Sequence, residues 1–235
     1  MFKLTLSSLA ILGLLTLSGC GGIGPPTGPE QHTSQSIDLD KTERVRVELK
    51  MPVGEMEVRG GAAKLMEGDF TYNVPSWKPE LKYKSSGGVG DLVVETGSGS
   101  AKGDAKNRWD LRLNDTVAMD IRVNIGAGEA KLNLGSLNLS SVEMDMGAGT
   151  VRLDLRGNPK KDYSVRLRGG VGEATVYLPK SVGVSATATG GIGEVSVTGL
   201  RKEGDHYVNE AYATATVRVR VDVKGGVGSI KLISE

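Results

Sequence analysis

The stretch GAGEAKLNLGSLNLSSVEMDMGAGTVRLDL, residues 126–155, contains one phrase twice. Each copy is a Gly-x-Gly bend, a small or acidic residue, and aliphatic residues two and four places after the last glycine: Ala130 and Leu132, then Val151 and Leu153. A spacing of two is the period of a strand with one buried face. Outward from this stretch the phrase recurs as PVGEMEV from Pro52, GVGDLVV from Gly88, GVGEATV from Gly170, GIGEVSV from Gly191 and GVGSIKL from Gly226. The bend glycines are therefore Gly54, Gly88, Gly90, Gly126, Gly128, Gly147, Gly149, Gly170, Gly172, Gly191, Gly193, Gly226 and Gly228.

With 34 glycines in 235 residues, about five Gly-x-Gly triplets arise by chance, so the weight rests on the aliphatic tail. The triplets at 22–24 and 97–99 lack it. From Gly128 to Gly193 the copies are 21 to 23 residues apart, with longer insertions towards both ends. A catalytic motif is needed once and a structural rung many times, so such repetition marks architecture.

Alternation fills the intervening chain. Val45, Val47, Leu49 and Met51 alternate with Arg46, Glu48 and Lys50, and Val117, Met119, Ile121, Val123 and Ile125 form a similar series. Tyr163, Val165 and Leu167 continue the pattern, as do Val217, Val219, Val221 and Val223. No amphipathic helix longer than a turn or two is evident. The sequence predicts an all-β, solenoid-like stack of short strands joined at repeated Gly-x-Gly bends. Glycine suits a corner that needs positive φ or close backbone approach. The antiparallel sandwich of hairpins is the competing architecture, but near-identical corners in one phase favour superposed rungs.

The beginning of the chain reads as an address. Lys3 precedes an apolar stretch at 4–17, too short to span a bilayer comfortably, and LSGC ends it at Cys20. This resembles a bacterial lipoprotein signal, which implies removal of 1–19 and lipid on the sulfur of Cys20. Acyl chains would hold the protein on a membrane without a spanning helix. Residues 21–36, rich in Gly, Pro and polar residues, read as a tether holding the domain roughly 20 Å from the lipid. Gly21 after the cysteine resembles the outer-membrane sorting class, if the organism has such a membrane. Cys20 is the only cysteine, so the fold needs no disulfide. The chain has 29 Lys plus Arg and 28 Asp plus Glu, and losing Lys3 brings them to parity. A balanced surface argues against nucleic acid as a partner.

Residues 37–125 form an expected N-terminal β region with a Trp/Pro insertion, continuous with a repeat region at 126–235. GGAAKLMEGDFTYNVPSWKPELKY from Gly60, SGGVGDLVVETG, RWDLRLN and the segment through residue 155 resemble the bacterial toast-rack family. The C-terminal repeats are similar to the extracytoplasmic domain of cell-wall-active antibiotic response proteins. The resemblance implies stacked β-structure in exported proteins. Some relatives carry several membrane helices and restrain an envelope-stress sensor kinase; here a lipidated cysteine takes the place of those helices.

Sharper chemistries find little support. A phosphate loop leads into a helix, whereas each bend here leads into a strand. Glu55, Asp91, Glu129, Glu173 and Glu194, with Thr150 and Ser229 at the same repeat position, could align as a cation ladder, but calcium-binding repeats place their acids differently. Carboxylates capping bend amides or standing in solvent fit better. His206 beside Asp205 and the tether residue His32 are the only histidines, too few for zinc or a recognisable nucleophile site. Trp77 and Trp109 read as cap or core residues, with a sugar- or lipid-facing platform as the alternative. Arg166, Arg168, Arg218 and Arg220, with Glu143, Asp145 and Asp154, read as mixed surface ladders. No catalytic residue, cofactor or metal site is expected.

The last repeat stops at Glu235, so the C-terminal strand is expected to be an edge that binds an envelope protein or a second copy. The function expected is a non-catalytic, extracytoplasmic interaction or envelope-stress module. The alternative is a surface adhesin or envelope-glycan-binding protein.

Overall fold

The computed structural model describes residues 27–97, 101 and 103–235, and Cys20 with its signal lies outside them. The strands are β1 (Gln31–Ile37), β2 (Arg44–Arg59), β3 (Met66–Tyr72), β4 (Glu80–Ser86), β5 (Val89–Glu95), β6 (Asn107–Leu113) and β7 (Ala118–Asn133). After them come β8 (Leu139–Asp154), β9 (Tyr163–Leu178), β10 (Gly183–Thr198), β11 (Arg201–Glu203), β12 (His206–Val208) and β13 (Arg218–Ser234). One sheet holds them all in the order β1-β3-β6-β2-β7-β8-β9-β13-β10-β12-β11, with β4 joined through β5 to β2.

The rungs β2, β7, β8, β9, β13 and β10 pair in parallel, corner on corner. The ladder continues through each bend, so the two short strands of a repeat form one long strand with a corner at its middle. Five positions separate the buried residues flanking a corner: Met51 and Met56, Ile125 and Ala130, Met146 and Val151. An odd step reverses the alternation, which keeps both halves of the rung facing one interior. That interior is a continuous aliphatic stack in which Val58, Leu132, Leu153, Val176 and Leu232 are fully buried.

Glycine is dictated at the corner. Gly149 has φ +134, and a Cβ built there would overlap the carbonyl oxygen of Gly128 in the preceding rung. The same overlap meets the first glycine of the bend, where a Cβ on Gly147 would strike the carbonyl of Gly126. In the first rung that place is taken by Pro52. It is tolerated because β5 stops at Glu95 and β6 starts at Asn107, and among the described residues no rung stands in front of it.

The Gly88 copy of the phrase is a different feature. Gly87 and Gly88, both with positive φ, form the two-residue turn of the β4–β5 hairpin, the arrangement expected of a type I′ turn. Gly90 lies flat in β5 opposite Val45, so this copy is not a corner of the stack. Residues 31–36 of the segment expected as a tether lie in a strand. Gln31–Ile37 forms β1 and pairs antiparallel with β3, its alternating Thr33, Gln35 and Ile37 lying half-buried. The 125/126 boundary falls inside β7, and the two regions form one stack.

The largest departure concerns the chain's end. The C-terminal strand β13 lies between β9 and β10 and is paired on both sides, so it presents no edge. Four residues, 179–182, carry the chain from β9 past one vacant place to β10. After β11, β12 and a short 3-10 turn (Glu210–Ala213), β13 fills that place. Asn209 secures this excursion: its side-chain amide donates to the carbonyls of Pro179 and Val182, and its side-chain oxygen accepts from the Val184 amide.

Gly149→Ala is expected to cost at least about 3 kcal/mol, from strain and backbone overlap together. Gly204→Asn is expected to cost about 1 kcal/mol or less, because Gly204 has φ +64 with open space around it. Urea unfolding of both variants checks the contrast.

Candidate interaction face

Parallel registry turns each outward repeat position into a row across the rungs. Before the corner, one row runs Glu48, Arg122, Glu143, Arg166, Asp222 and Thr187. Its charges alternate in sign. Glu143 accepts from Arg122 at 2.6 Å and from Arg166 at 3.0 Å, and Thr187 donates to Asp222 at 3.0 Å. Neighbouring rungs stand about 4.8 Å apart, so alternation avoids like charges at contact distance.

A second row is anchored by Asp120. Arg44 donates to both its oxygens, at 2.5 and 2.9 Å, and Ser141 donates at 2.7 Å. The Arg44 hydrogen bonds hold the Asp120 carboxyl below the ordinary aspartate range, against an opposing contribution from partial burial. Asp154 is treated differently. Burial pushes its carboxyl upward, but hydrogen bonds from the Arg156 side chain and amide overcome this and leave it lowered.

Beside the corners lies a groove of about 820 Å³ that crosses β2, β7, β8 and β9. Lys50, Asn124, Asp145 and Arg168 stand along it, and Gly126, Gly147 and Gly170 line it without side chains. Such a groove can receive an extended chain across the rungs and offer it hydrogen bonds of both senses. The middle residue of each bend makes a further row, Val53, Ala127, Ala148, Val171, Val227 and Ile192. Its large members are exposed, Ile192 the most at 73%.

The family model for the N-terminal domain of toast_rack, DUF2154, matches residues 26–177, more than half of the chain. The chain belongs to the toast-rack family. A crystal structure of a "putative cell adhesion protein" from Clostridium sporogenes ATCC 15579 is 32% identical, with a TM-score of 0.82, covering 88% of this chain and all of that one. A "putative adhesin" from Bacteroides fragilis NCTC 9343 is 12% identical with a TM-score of 0.33, over 90% of this chain and all of its own. No curated protein matches.

On this toast-rack stack the acids of the repeated phrase do not gather. Glu129, Thr150, Glu173, Ser229 and Glu194 are successive members of one row, so a hydroxyl separates each acid from the next. Glu55 and Glu129 are neighbours, but Glu55 pairs with Arg108 at 2.6 Å and Glu129 with Lys131 at 3.1 Å. Asp91 is elsewhere, in β5, paired with Arg46 at 2.9 Å. Among the described residues no three His, Cys, Asp or Glu side chains could together hold a metal ion.

His206 and Asp205 are 2.9 Å apart on the β11–β12 turn. The Asp205 carboxyl is lowered by that hydrogen bond. Both tryptophans are buried. Trp77 packs with Tyr72 and Val74, while Trp109 meets Phe70 edge-on at 5.6 Å and donates to Asn107 at 3.1 Å. Neither serves as an exposed aromatic platform. Sequence periodicity had given no sign of Tyr177 stacked against both Arg152 and Arg156, at 4.5 and 4.7 Å. Alignment of separate rungs creates that cluster, as it does the groove. No helix among the described residues is long and apolar enough to cross a membrane.

The lowered Asp120 carboxyl contributes stability that is present above the ordinary aspartate value of about 3.9 and is lost as pH falls through its lower folded value. Asp120→Asn should therefore lose less stability than the native chain between pH 7 and pH 3. Because Arg44 is half exposed, the difference should be below about 1 kcal/mol, read from urea midpoints at the two pH values.

Proposed function

We propose that this chain is a non-catalytic adhesion-type binding protein of the bacterial envelope, held at the outer side of a membrane by lipid on Cys20. The observation that carries this reading is the 32% identity to a "putative cell adhesion protein" over that protein's whole length. The relation extends over 88% of this chain. The geometry agrees with such a role, since its polar groups are distributed in rows along the rungs and the groove beside the corners crosses β2, β7, β8 and β9. Extended, repeated surfaces of this kind suit binding to other extended molecules or surfaces. The anchor rests on the apolar stretch that ends at LSGC, and the envelope-stress role of some relatives rests on resemblance alone.

Cells lacking the chain, complemented with the native form or with Cys20→Ser, provide the test. The native chain is expected in the membrane fraction with surface attachment restored. The Cys20→Ser chain should be soluble and folded, with attachment lost. A Cys20→Ser chain that stays membrane-bound overturns the anchor. Attachment unchanged by deletion overturns the adhesion role.

A further inference from the structure

The steric rule that builds the corner also bares part of the outer surface. From β7 onward, a side chain at the first position of a bend would strike the carbonyl of the neighbouring rung, as at Gly126 against Pro52, Gly147 against Gly126 and Gly170 against Gly147. Across β2, β7, β8 and β9 the groove therefore has a floor of Pro52 and bare glycine α-carbons. Beside that floor runs the row Lys50, Asn124, Asp145 and Arg168, one residue to each rung.

The charges of this row are already paired. Lys50 stands 2.9 Å from Glu48 and 3.8 Å from Glu95, and Arg168 donates to Asp145 at 3.2 Å. With Glu48, Glu95 and Asp145 against Lys50 and Arg168, the lining holds one more acid than base, which does not suit a polyanion. Paired ammonium, guanidinium and carboxylate groups keep further donor and acceptor positions, and the Asn124 amide between them does both. Thr96 lines the β2 end of the groove, and its buried hydroxyl oxygen has no hydrogen-bond partner among the described residues. An unpartnered buried hydroxyl is costly, and a ligand hydroxyl would relieve it.

An extended peptide fits this groove poorly. Its side chains repeat on one face about every 6.8 Å, out of step with rungs about 4.8 Å apart. β7, β8 and β9 are hydrogen-bonded on both sides, and β2 over most of its length, so they offer little edge for a peptide backbone to join. Met51, Ile125 and Met146 in the lining are buried, which leaves no exposed aromatic or long aliphatic anchor of the kind protein interfaces use.

We propose that the groove holds an uncharged, extended glycan of about four sugars, lying across β2, β7, β8 and β9. An extended chain of 1,4-linked pyranoses advances by close to one rung spacing per sugar. Each ring then rests its C–H face on one glycine or on Pro52, and turns its hydroxyls to one member of the row from Lys50 to Arg168. Such a site gives the adhesion-type reading its ligand class, and only the cellular setting of the site rests on that reading.

The purified full chain in detergent is titrated with cellotetraose, chitotetraose and β-1,4-mannotetraose, followed by calorimetry and amide NMR. At least one is expected to bind and to shift the amides of Gly126, Gly147 and Gly170, with tetragalacturonate at least about tenfold weaker. Asn124→Ala and Asp145→Ala should each weaken binding about threefold or more, while Lys202→Ala, on β11 away from the groove, should leave it unchanged. Should either groove variant fail to fold, the glycine amide shifts decide. Failure of all three neutral tetrasaccharides to bind, shifts that fall outside the groove, or equal binding of tetragalacturonate overturns the proposal. A chain that restores surface attachment but binds none of the three leaves the adhesion reading standing. A chain that binds, in cells whose attachment is unchanged by its deletion, overturns the adhesion reading alone.

Discussion

Each corner from Gly128 onward brings a glycine Cα over a backbone carbonyl of the preceding rung in the stack so closely that no side chain fits between. Bends of one shape can then be superposed, and parallel pairing passes through them without interruption. The aliphatic interior follows from that superposition. Every rung turns at the same point with the same reversal of alternation, so its buried residues fall directly above those of the rung below. A side chain at one corner would displace the rung above it and break the ladder on both flanks.

Superposition also controls the outer surface. Any outward position becomes a row of side chains about 4.8 Å apart, close enough that a run of one charge would repel itself. The rows show two solutions: alternating sign, from Glu48 through Asp222, and acids interleaved with hydroxyls, from Glu129 through Glu194. Most of these ion pairs are exposed and individually weak. Among the described residues no three His, Cys, Asp or Glu side chains converge there to hold a metal ion.

A stack of like rungs has an intrinsic problem at its ends, where the interior must stop. One end is closed by β6, β3 and β1, with Trp109 and Phe70 sealing the aliphatic column. At the other, β11 and β12 cover only the first half of β10. This asymmetry places β1 at the closed end and the second half of β10 at the far end.

Much of this was legible in the residues. Alternation identified the strands and their buried faces, the glycine phrase marked six true corners, and the toast-rack resemblance held. Local patterns suffice there because a strand's period and a bend's steric demand are written within a few neighbouring residues. The Gly88 copy shows their limit: the same phrase serves a hairpin when Gly87 precedes it and β4 folds back on β5. Thr33, Gln35 and Ile37 gain half-buried places that only β3 could provide, so a segment with the composition of a tether becomes a strand. The sequence by itself determined the rungs, their corners and their inward faces. Tertiary structure alone decided their order, placing β13 inside the stack between β9 and β10, because the excursion held by Asn209 carries the chain past that place and leaves it to be filled by the last strand.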